Sequence, residues 1–334
     1  MTPDRRRLVA DAALVAVCLV WGSTFVIVKQ AVAEVPVMTF LALRFSLAFV
    51  VMAAVFGRHL RGHGRRLAWP GVLVGMLLWG GYTFQTAGLQ YTQASRAGFI
   101  TGLSVVLVPV FSAVITKERP SGRALGGVAL ALVGLVLLFL VPESGPGGLS
   151  PARPSTGMAG DLLVLAGAVC FGLHIVTLGL YSATRAPGVT EAGSLATFQV
   201  GAAALAYMAA TAAGYVRSGP TAVLPAAPAA AGPPFLSSTA VAAVVITALL
   251  ATAGAFFAQT LAQRHTPPTH TALIFASEPV FAAAFGWLLL GERLGPWALA
   301  GCLLILAGMV LAELRTVRPA RRPAAGPGSL AAGS

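Results

Sequence analysis

The sequence predicts an all-α membrane protein of ten transmembrane helices, arranged as two inverted five-helix repeats with both termini in the cytoplasm. Three observations predict it. Of the 334 residues, 57% are hydrophobic and only 10% are charged, whereas a soluble protein is about 25% charged. Ten apolar runs are each long enough for a bilayer core of ~30 Å, which about 20 helical residues cross. The second half of the chain also repeats the first.

The ten apolar runs are numbered here as spans 1 to 10 in chain order. They are continuously apolar rather than alternating, which favours helices over the strands of an outer-membrane barrel. The glycines and prolines within them are common in membrane helices. The spans cover residues 8–28, 37–56, 69–90, 94–116, 121–141, 159–181, 190–214, 239–262, 269–290 and 296–314.

Lysine and arginine are distributed unevenly between the two sides. With the N-terminus in the cytoplasm, sixteen of them lie in inner segments, five lie in outer segments, and Arg44 lies within span 2. The positive-inside rule therefore predicts that both termini are cytoplasmic. The arginines at 5–7 also suit a cleaved signal peptide, but the apolar stretch after them exceeds the ~7–15 residues of a signal core.

Three sequence shifts reveal the repeat. A shift of 174 residues aligns GYTFQTAGLQYT (81–92) with AFFAQTLAQRHT (255–266), and shifts of 150 and 155 align spans 1 and 2 with spans 6 and 7. The same alignment pairs glycines seven residues apart on spans 5 and 10, which predicts close helix packing there. The repeat mates used below are Gln85 and Gln259, Arg96 and His270, Asp11 and Asp161, Trp21 and Phe171, Arg44 and Gln199, Gly127 and Gly301, and Gly134 and Gly308.

The repeat also predicts the domain organisation. Because five is odd, the second unit crosses the membrane in the opposite sense, and inverted repeats of this kind form transporter folds with a site near the midplane. The first repeat is predicted at 8–141, a linker at 142–158, the second repeat at 159–314 and a disordered basic tail at 315–334. A Pro/Ala-rich outer loop at 218–235 accounts for the change of shift.

Several motifs together resemble the EamA-domain family of the drug/metabolite transporter superfamily. They are WGSTFVIVK in span 1, LRF in span 2, QTAGLQYTQASRAGFITGLSVVLVPVF across spans 3 and 4, KERP, and SEPVFAAAFGWLLLGERL in span 9. The resemblance implies ten helices, two EamA units and transport of small metabolites by alternating access, with amino acids as a common substrate class. The sugar-phosphate transporters of the same superfamily are similar in fold and are expected to carry paired basic residues in their later helices. Spans 8–10 hold no Lys or Arg in their interiors, which argues against phosphorylated substrates.

Seven polar or aromatic residues inside the spans are the candidate substrate-binding residues: Glu278, Gln85, Gln259, His174, Trp21, Tyr82 and Arg44. Glu278 lies about nine residues, or ~13 Å, into span 9. A charge at that depth costs ~2.5–3.5 kcal/mol, so it should face the interior. We interpret it as a contact for a substrate amine or a proton carrier; the alternative is a buried carboxyl that holds helices together.

The other candidates each have a structural alternative. Arg44 is expected to snorkel to the outer headgroups, to pair with Glu278 or to contact a substrate carboxylate, and a structural role is favoured. His174 is interpreted as a hydrogen-bonded packing residue, and a proton relay is the alternative that is less favoured. The two glutamines, Gln85 and Gln259, are expected either to bond to each other across the two-fold axis or to line the pathway.

The two aromatic candidates, Trp21 and Tyr82, are expected to form a pocket wall.

The remaining polar residues are expected to be structural or to lie at the ends of helices. Arg96 and His270 are expected to be end anchors or gate residues. Four acids are placed where a carboxylate favours the positive end of a helix dipole, before spans 5 and 10 and early in spans 1 and 6: Glu118, Glu292, Asp11 and Asp161.

The sequence contains no signature of a membrane enzyme or of a cofactor site. HExxH, GxSxG and DxxD are all missing, as is a phosphate loop. The cysteines Cys18, Cys170 and Cys302 show neither CxxC spacing nor a neighbouring histidine cluster. The net charge of +12 comes without a basic stripe interleaved with aromatics, so nucleic acid is not a predicted partner.

These observations predict a multi-pass protein of the inner or plasma membrane, surrounded by lipid. Its function is predicted to be secondary transport of a small organic solute, amino-acid-like or drug-like, with export as the expected direction and protons as the candidate coupling ion. An uptake permease is the alternative within transport. A non-transporting membrane scaffold or a solute-binding receptor is the alternative outside it.

Overall fold

The computed structural model describes residues 3–117, 121–140, 154–219, 236–266 and 268–313. All regular structure within those ranges is helical. Eight helical segments are long and apolar enough to cross a bilayer, and two shorter apolar helices, Leu125–Leu137 and Pro296–Ala312, bring the number to the ten predicted. The linker up to residue 153, the outer loop at 220–235, Glu118 and the basic tail lie outside the described residues.

Eleven α-helices and one π-helical turn form these segments. Spans 1, 4, 5, 6, 7 and 10 are single helices, spans 2 and 3 share one helical segment, and spans 8 and 9 are interrupted. The elements are α1 (Pro3–Glu34), α2 (Val37–Leu89), α3 (Ala94–Thr116), α4 (Gly122–Leu140), α5 (Pro154–Arg185), α6 (Val189–Ser218), α7 (Ser238–Ala248), the π-helical turn (Leu249–Gly254), α8 (Ala255–Ala262), α9 (Pro268–Phe275), α10 (Glu278–Leu290) and α11 (Pro296–Glu313).

Helix α2 contains two spans although its helical backbone is continuous over 53 residues. Residues 49–56 pack along α6 in one direction, and residues 71–79 pack along it in the opposite direction. The chain therefore reverses between these two stretches. Gly57, Gly62 and Gly64 lie in the reversal with open space where a Cβ would stand, and glycine is a common cause of sharp helix bends.

Spans 8 and 9 are both broken near the middle. In span 8 the π-helical turn separates α7 from α8. In span 9, α9 ends at Phe275, and Glu278 is the first residue of α10. Glu278 lies about nine residues into span 9, as expected, and the span is interrupted just before it. Pro279 follows it and lacks the N–H that would continue the ladder of α9, so the helix restarts at Glu278.

Glycines bring α4 and α11 into close antiparallel contact. A Cβ added to Gly127 would lie 2.5 Å from the carbonyl oxygen of Gly308, and one added to Gly134 would lie 2.6 Å from that of Gly301. The close packing predicted from the seven-residue spacing is confirmed. The two helices touch along their backbones because no side chain separates them.

Helices α1 and α5, which begin the two repeats, run in opposite directions. Near its start α1 places Asp11 beside His270, and near its end it places Lys29 beside Glu292. Helix α5 begins at the same end as Lys29, because its Asp161 pairs with Arg96 at the start of α3. We call these two ends of the bundle the His270 end and the Glu292 end.

Candidate functional site: a polar cavity between the repeats

One cavity lies between the His270 end and the Glu292 end. It encloses about 620 Å³ of empty space, including its mouth, and is lined by residues of both repeats. All seven candidates from the sequence line it: Trp21, Arg44, Tyr82, Gln85, His174, Gln259 and Glu278. Residues that are distant in the chain are thus brought into one site.

The walls of the cavity are largely built from repeat mates. The shifts of 150 and 174 residues place fourteen of its lining residues in seven pairs, one member from each repeat. These pairs are Trp21 and Phe171, Thr24 and His174, Phe25 and Ile175, Tyr82 and Phe256, Gln85 and Gln259, Thr101 and Phe275, and Ser104 and Glu278. Six of the fourteen were candidates from the sequence, and the repeat alignment relates several of the other eight to those candidates.

The charged groups of the cavity break this symmetry. Glu278 occupies the position that Ser104 holds in the first repeat, and Arg44 has the uncharged Gln199 as its mate. Among the residues that the structure describes, the Glu278 carboxylate has no hydrogen-bond or ion-pair partner. Gly22 allows α1 to pack closely on α10 beside it, because a Cβ there would lie 3.1 Å from the Glu278 carbonyl oxygen.

Arg44 is buried and only partly satisfied. Its exposed fraction is 1%, so the expectation that it snorkels to the headgroups is wrong. Its Nε donates to Thr252 Oγ1 at 2.8 Å, and its Cζ lies 4.5 Å from the centre of the Tyr82 ring. No ion pair joins it to Glu278 in the described part of the chain, so that expectation is also wrong. Its Nη2 has no hydrogen-bond partner there.

His174 belongs to a hydrogen-bonded chain at the edge of the cavity. Its Nε2 lies 2.9 Å from Gln199 Oε1, and Gln199 Nε2 donates to Thr260 Oγ1 at 3.1 Å. Because Gln199 Oε1 is an acceptor, the His174 nitrogen that faces it carries the proton. This geometry fits the interpretation of His174 as a hydrogen-bonded packing residue.

The two symmetry-related glutamines do not bond to each other. Gln85 Nε2 donates to Thr101 Oγ1 at 3.0 Å, and Gln259 Nε2 donates to Gln263 Oε1 at 3.4 Å. The expected bond across the two-fold axis is therefore wrong, because each amide nitrogen donates to a neighbour instead. Gln259 lines the cavity, and its Oε1 is buried without a partner among the described residues.

Aromatic rings form the apolar wall. The Trp21 ring lies 5.5 Å from Phe256 and 5.2 Å from Phe275, between ring centres. Tyr82 packs edge-on against Phe171 at 5.1 Å. The Trp21 indole N–H donates to the carbonyl oxygen of Ala251 at 2.9 Å, which satisfies the polar edge of the ring. The predicted pocket-wall position of Trp21 and Tyr82 agrees with this arrangement.

The Glu292 end of the bundle carries a dense polar network. Glu292 accepts backbone N–H groups from Ala94 at 2.8 Å and Ser95 at 2.9 Å, together with the Ser95 hydroxyl, and pairs with Lys29 at 3.3 Å. The helix that Glu292 caps is thus α3, and the expectation that it serves the helix after it is wrong. Glu292 reaches α3 because span 9 packs beside span 4.

These contacts shift the titration of Glu292. Burial by itself would raise its pKa. The hydrogen bonds from Ser95, the charge of Lys29 and the N–H of Ala94 outweigh burial, so the pKa of Glu292 is held below its ordinary value of 4.5. Hydrogen bonds to the ionised form and a nearby cation both favour that form.

Two equivalent ion pairs join the repeats at opposite ends. At the Glu292 end Arg96 pairs with Asp161, and the side chains are 6% and 0% exposed. At the His270 end their mates His270 and Asp11 lie 3.2 Å apart, and each is 27% exposed. Both aspartates lie beyond the first turn of their helices, so the expected dipole role is wrong. They face basic side chains of the other repeat.

The Glu292 end is closed more tightly than the His270 end. Thr92 adds a hydrogen bond to Asp161 at 2.6 Å and offers its carbonyl oxygen to Lys29 at 2.9 Å. The pair at the other end is not aligned as a hydrogen bond and is ionic only when His270 is protonated. The structure is therefore better sealed at the Glu292 end.

No metal centre is indicated in the described ranges. Among these residues no three His, Cys, Asp or Glu side chains are grouped as ligands for an ion. The cysteines Cys18 and Cys302 are buried and unpaired, and Cys170 is half-buried. They act as packing residues here.

A helical bundle of membrane-crossing length around a polar cavity defines a multi-pass membrane transporter. The EamA-like transporter family model matches residues 8–140 and again residues 158–314. The chain belongs to this family.

Individual relatives agree with this family membership. The chain is 33% identical over 310 residues to an uncharacterized transporter of Archaeoglobus fulgidus, an alignment that covers 93% of this chain and 87% of that one. It is 23% identical over 248 residues to the uncharacterized transporter YcxC of Bacillus subtilis, with 72% of each chain covered. A solved crystal structure shares the fold with a TM-score of 0.58 and 22% identity, over 91% of this chain and 96% of the other.

Proposed function

We propose that this protein is a secondary transporter that moves a small zwitterionic, amino-acid-like metabolite across the cell membrane by alternating access. The observation that carries the proposal is a basic and an acidic side chain in one cavity, Arg44 and Glu278, that are not paired with each other in the described part of the chain, where Arg44 Nη2 also has no hydrogen-bond partner. Buried charges are strongly disfavoured unless they are paired. A substrate that brings a carboxylate to Arg44 and an ammonium group to Glu278 satisfies both.

The rest of the cavity supports this substrate class. The aromatic wall around Phe256 suits an apolar side chain, and the unpartnered Gln259 Oε1 suits a second hydrogen bond from the ammonium group. Spans 8–10 provide no interior Lys or Arg for a phosphate.

Alternating access is supported by the two ends of the bundle. The opposite directions of α1 and α5 are what inverted repeats at 8–141 and 159–314 require. Rocking one repeat against the other would break the Arg96 and Asp161 pair while the His270 and Asp11 pair tightens. Rocking in the opposite direction would tighten the first pair and break the second. With both termini in the cytoplasm, the tightly bonded Glu292 end faces outward. This structure then represents the outward-closed state.

Spans 5 and 10 are proposed to support the moving parts from outside the pathway. No described residue of α4 or α11 lines the cavity, and the two helices hold each other through their glycines. Glu278 is the proposed proton carrier, because it lines the cavity and has no hydrogen-bond or ion-pair partner among the described residues. Export is the direction that we propose.

Transport by purified protein in liposomes tests the proposal. The probes are a panel of radiolabelled neutral L-amino acids measured by counterflow, which needs no applied gradient. We expect at least one to accumulate, and Glu278→Gln and Arg44→Gln to reduce the rate at least about tenfold, the effect of about 1.4 kcal/mol. The matched controls are Glu191→Gln and Arg185→Gln, which lie at a loop outside the cavity. A panel that is not carried would overturn the zwitterion assignment.

Vesicles of known sidedness test direction and coupling. Right-side-out and inside-out preparations with an imposed pH gradient separate export from uptake, and we expect net movement outward when the outside is acidic. Accumulation that ignores the pH gradient in both preparations would overturn proton coupling. Binding of a labelled amino acid without flux would instead support a solute-binding receptor.

A further inference from the structure

The π-helical turn of span 8 lies directly against Arg44. A π-helix is rare and costs backbone hydrogen-bond geometry, and it is found most often at functional sites. Here Leu249–Gly254 is the π-helical turn, flanked by ordinary α-helix on both sides. Two of its residues bond to cavity side chains: Thr252 Oγ1 accepts from Arg44 Nε, and the Ala251 carbonyl oxygen accepts from Trp21 Nε1.

The other repeat shows what this position is like without a π-helical turn. The shift of 174 residues places residues 75–80 over Leu249–Gly254, and residues 75–80 lie within the α-helix of span 3. There Gly75 packs directly on Gln199, the mate of Arg44, since a Cβ on Gly75 would lie 2.4 Å from the Gln199 carbonyl oxygen. The α-helical stretch thus meets the backbone of Gln199 through a glycine, whereas its π-helical mate meets the side chain of Arg44 through Thr252.

The hydrogen bond to Thr252 fixes how the guanidinium is turned. Thr252 Oγ1 donates to the Thr247 carbonyl oxygen at 2.9 Å, so its remaining lone pairs are available to Arg44 Nε at 2.8 Å. The guanidinium plane also lies over Tyr82, at 4.5 Å from Cζ to the ring centre. Arg44 lines the cavity, and with Nε held on one side and the ring beside it, Nη2 is buried without a hydrogen-bond partner among the described residues.

We infer that Thr252, presented by the π-helical turn, is a positioning residue for Arg44, which it orients so that Nη2 receives the carboxylate of the transported solute. This inference rests on the proposed function for the identity of the solute. The positioning contact itself is independent of what is carried. A guanidinium with a fixed plane loses less freedom when it binds a carboxylate, so the contact acts on solute affinity.

Three substitutions separate positioning from simple stability. Thr252→Val keeps the shape and removes the acceptor, and Thr252→Ser keeps both hydrogen bonds. Thr247→Val is the matched control: it removes a buried threonine hydroxyl five residues earlier that bonds only to carbonyl groups of its own helix. Each variant is measured with the best-carried amino acid of the panel and with its carboxamide as a competitor, since the amide lacks the carboxylate.

We expect Thr252→Val to raise KM for the amino acid about tenfold, with kcat and the inhibition constant of the amide unchanged, which corresponds to about 1.4 kcal/mol of carboxylate contact. Thr252→Ser and Thr247→Val should behave like the original protein. An unchanged KM in Thr252→Val, or equal weakening of acid and amide, would overturn the inference and leave the transport proposal standing.

A second readout does not depend on any solute. In detergent-solubilised protein with ¹⁵N-labelled arginine, the Arg44 Nε–H resonance is assigned by its loss in Arg44→Lys. We expect slow exchange with water in the original protein, Thr252→Ser and Thr247→Val, and fast exchange in Thr252→Val. If no amino acid is carried, the proposed function fails, while this exchange measurement still decides whether Thr252 orients Arg44.

Discussion

An ionised carboxylate at membrane depth is unfavourable by ~2.5–3.5 kcal/mol on insertion scales, and Glu278 has no described partner that offsets it. The same holds for Nη2 of Arg44. At the scale of single residues, these two side chains are therefore poorly explained as structural elements. A ligand that brings complementary charges explains both of them.

This argument predicts opposite effects of Glu278→Gln on stability and on transport. The amide removes a charge without breaking a protein contact, so we expect the melting temperature in detergent to stay equal or rise while transport is lost. Thermal unfolding and counterflow of the same preparation measure the two quantities. A buried carboxyl that holds helices together predicts a fall in melting temperature, which would contradict our interpretation.

For Glu292 we expect the substitution to lower stability, because its hydrogen-bond partners lie in the protein. Its pKa is lowered in the folded state, so its stabilising contribution is complete above the ordinary value of 4.5 and is lost as the pH falls through the lowered pKa. We expect Glu292→Gln to destabilise the protein by about 1.5–3 kcal/mol at pH 7, the usual worth of hydrogen bonds to a charged group.

The pH dependence supplies the check on Glu292. The difference in melting temperature between the original protein and Glu292→Gln should shrink as the pH is lowered from 7 to below 4.5. Glu34→Gln is the control, because the Glu34 carboxylate accepts a hydrogen bond from Ser237 at an exposed site. This substitution should have little effect on the melting temperature. A difference that is constant with pH would rule out an ionised Glu292 as the source of the stabilisation.

At the scale of helices, backbone contact between α4 and α11 depends on single glycines. Gly127→Ala should destabilise the protein by about 1–3 kcal/mol, the usual penalty for overpacking, because its Cβ would lie 2.5 Å from a backbone oxygen. Gly126→Ala is the adjacent control, since its Cβ would meet only Leu311 at 3.7 Å. Thermal unfolding in detergent measures both, and equal effects of the two substitutions would contradict this packing.

Interrupted helices concentrate at the cavity. Spans 8 and 9 are broken at Leu249–Gly254 and before Glu278. The first break contacts the cavity residues Arg44 and Trp21, and the second places the cavity residue Glu278 at the start of α10. Irregular backbone is tolerated at membrane depth where it borders a cavity or is buried in protein.

At the scale of the whole molecule, the proposed alternating access predicts that the Arg96–Asp161 and His270–Asp11 contacts each restrict access from one end. In a protein whose native cysteines are replaced, Thr24→Cys in the cavity wall reports access by labelling with a membrane-impermeant maleimide. Asp161→Asn should raise labelling from the Glu292 end, and Asp11→Asn should raise it from the His270 end. The physical reason is that each substitution weakens the barrier at one end only.

The sidedness of this labelling decides the outcome. With both termini in the cytoplasm, the Asp161→Asn effect should appear from outside intact cells and the Asp11→Asn effect in inside-out vesicles. Glu34→Gln serves as a control that touches neither pair. Equal increases from both faces for either variant would contradict the assignment of one barrier to each end.

The sequence was a strong guide to which residues form the site. A charge or amide within an apolar span is conspicuous, and all seven candidates found that way line the cavity. The aromatic residues Phe171, Phe256 and Phe275 were missed, because a phenylalanine in an apolar span carries no signal of its own. Their positions opposite Trp21, Tyr82 and Thr101 in the repeat alignment would have identified them.

The sequence was a poor guide to which residues contact one another. It suggested a bond between Gln85 and Gln259, a pair between Arg44 and Glu278, and a cap by Glu292 on the following helix, and the structure shows none of these among the described residues. Side-chain partners depend on distances of a few ångströms between helices that the linear chain does not encode.

By itself, the sequence determined the solvent, the number of spans and the repeat, because hydropathy and internal similarity are properties of the chain taken in order. The tertiary structure alone decided that span 8 carries a π-helical turn against Arg44, that span 9 restarts at Glu278, and that the Glu292 end is the tighter one. Each of these depends on how helices from different repeats pack, and packing selects among backbone and side-chain conformations that local sequence leaves nearly equal in energy.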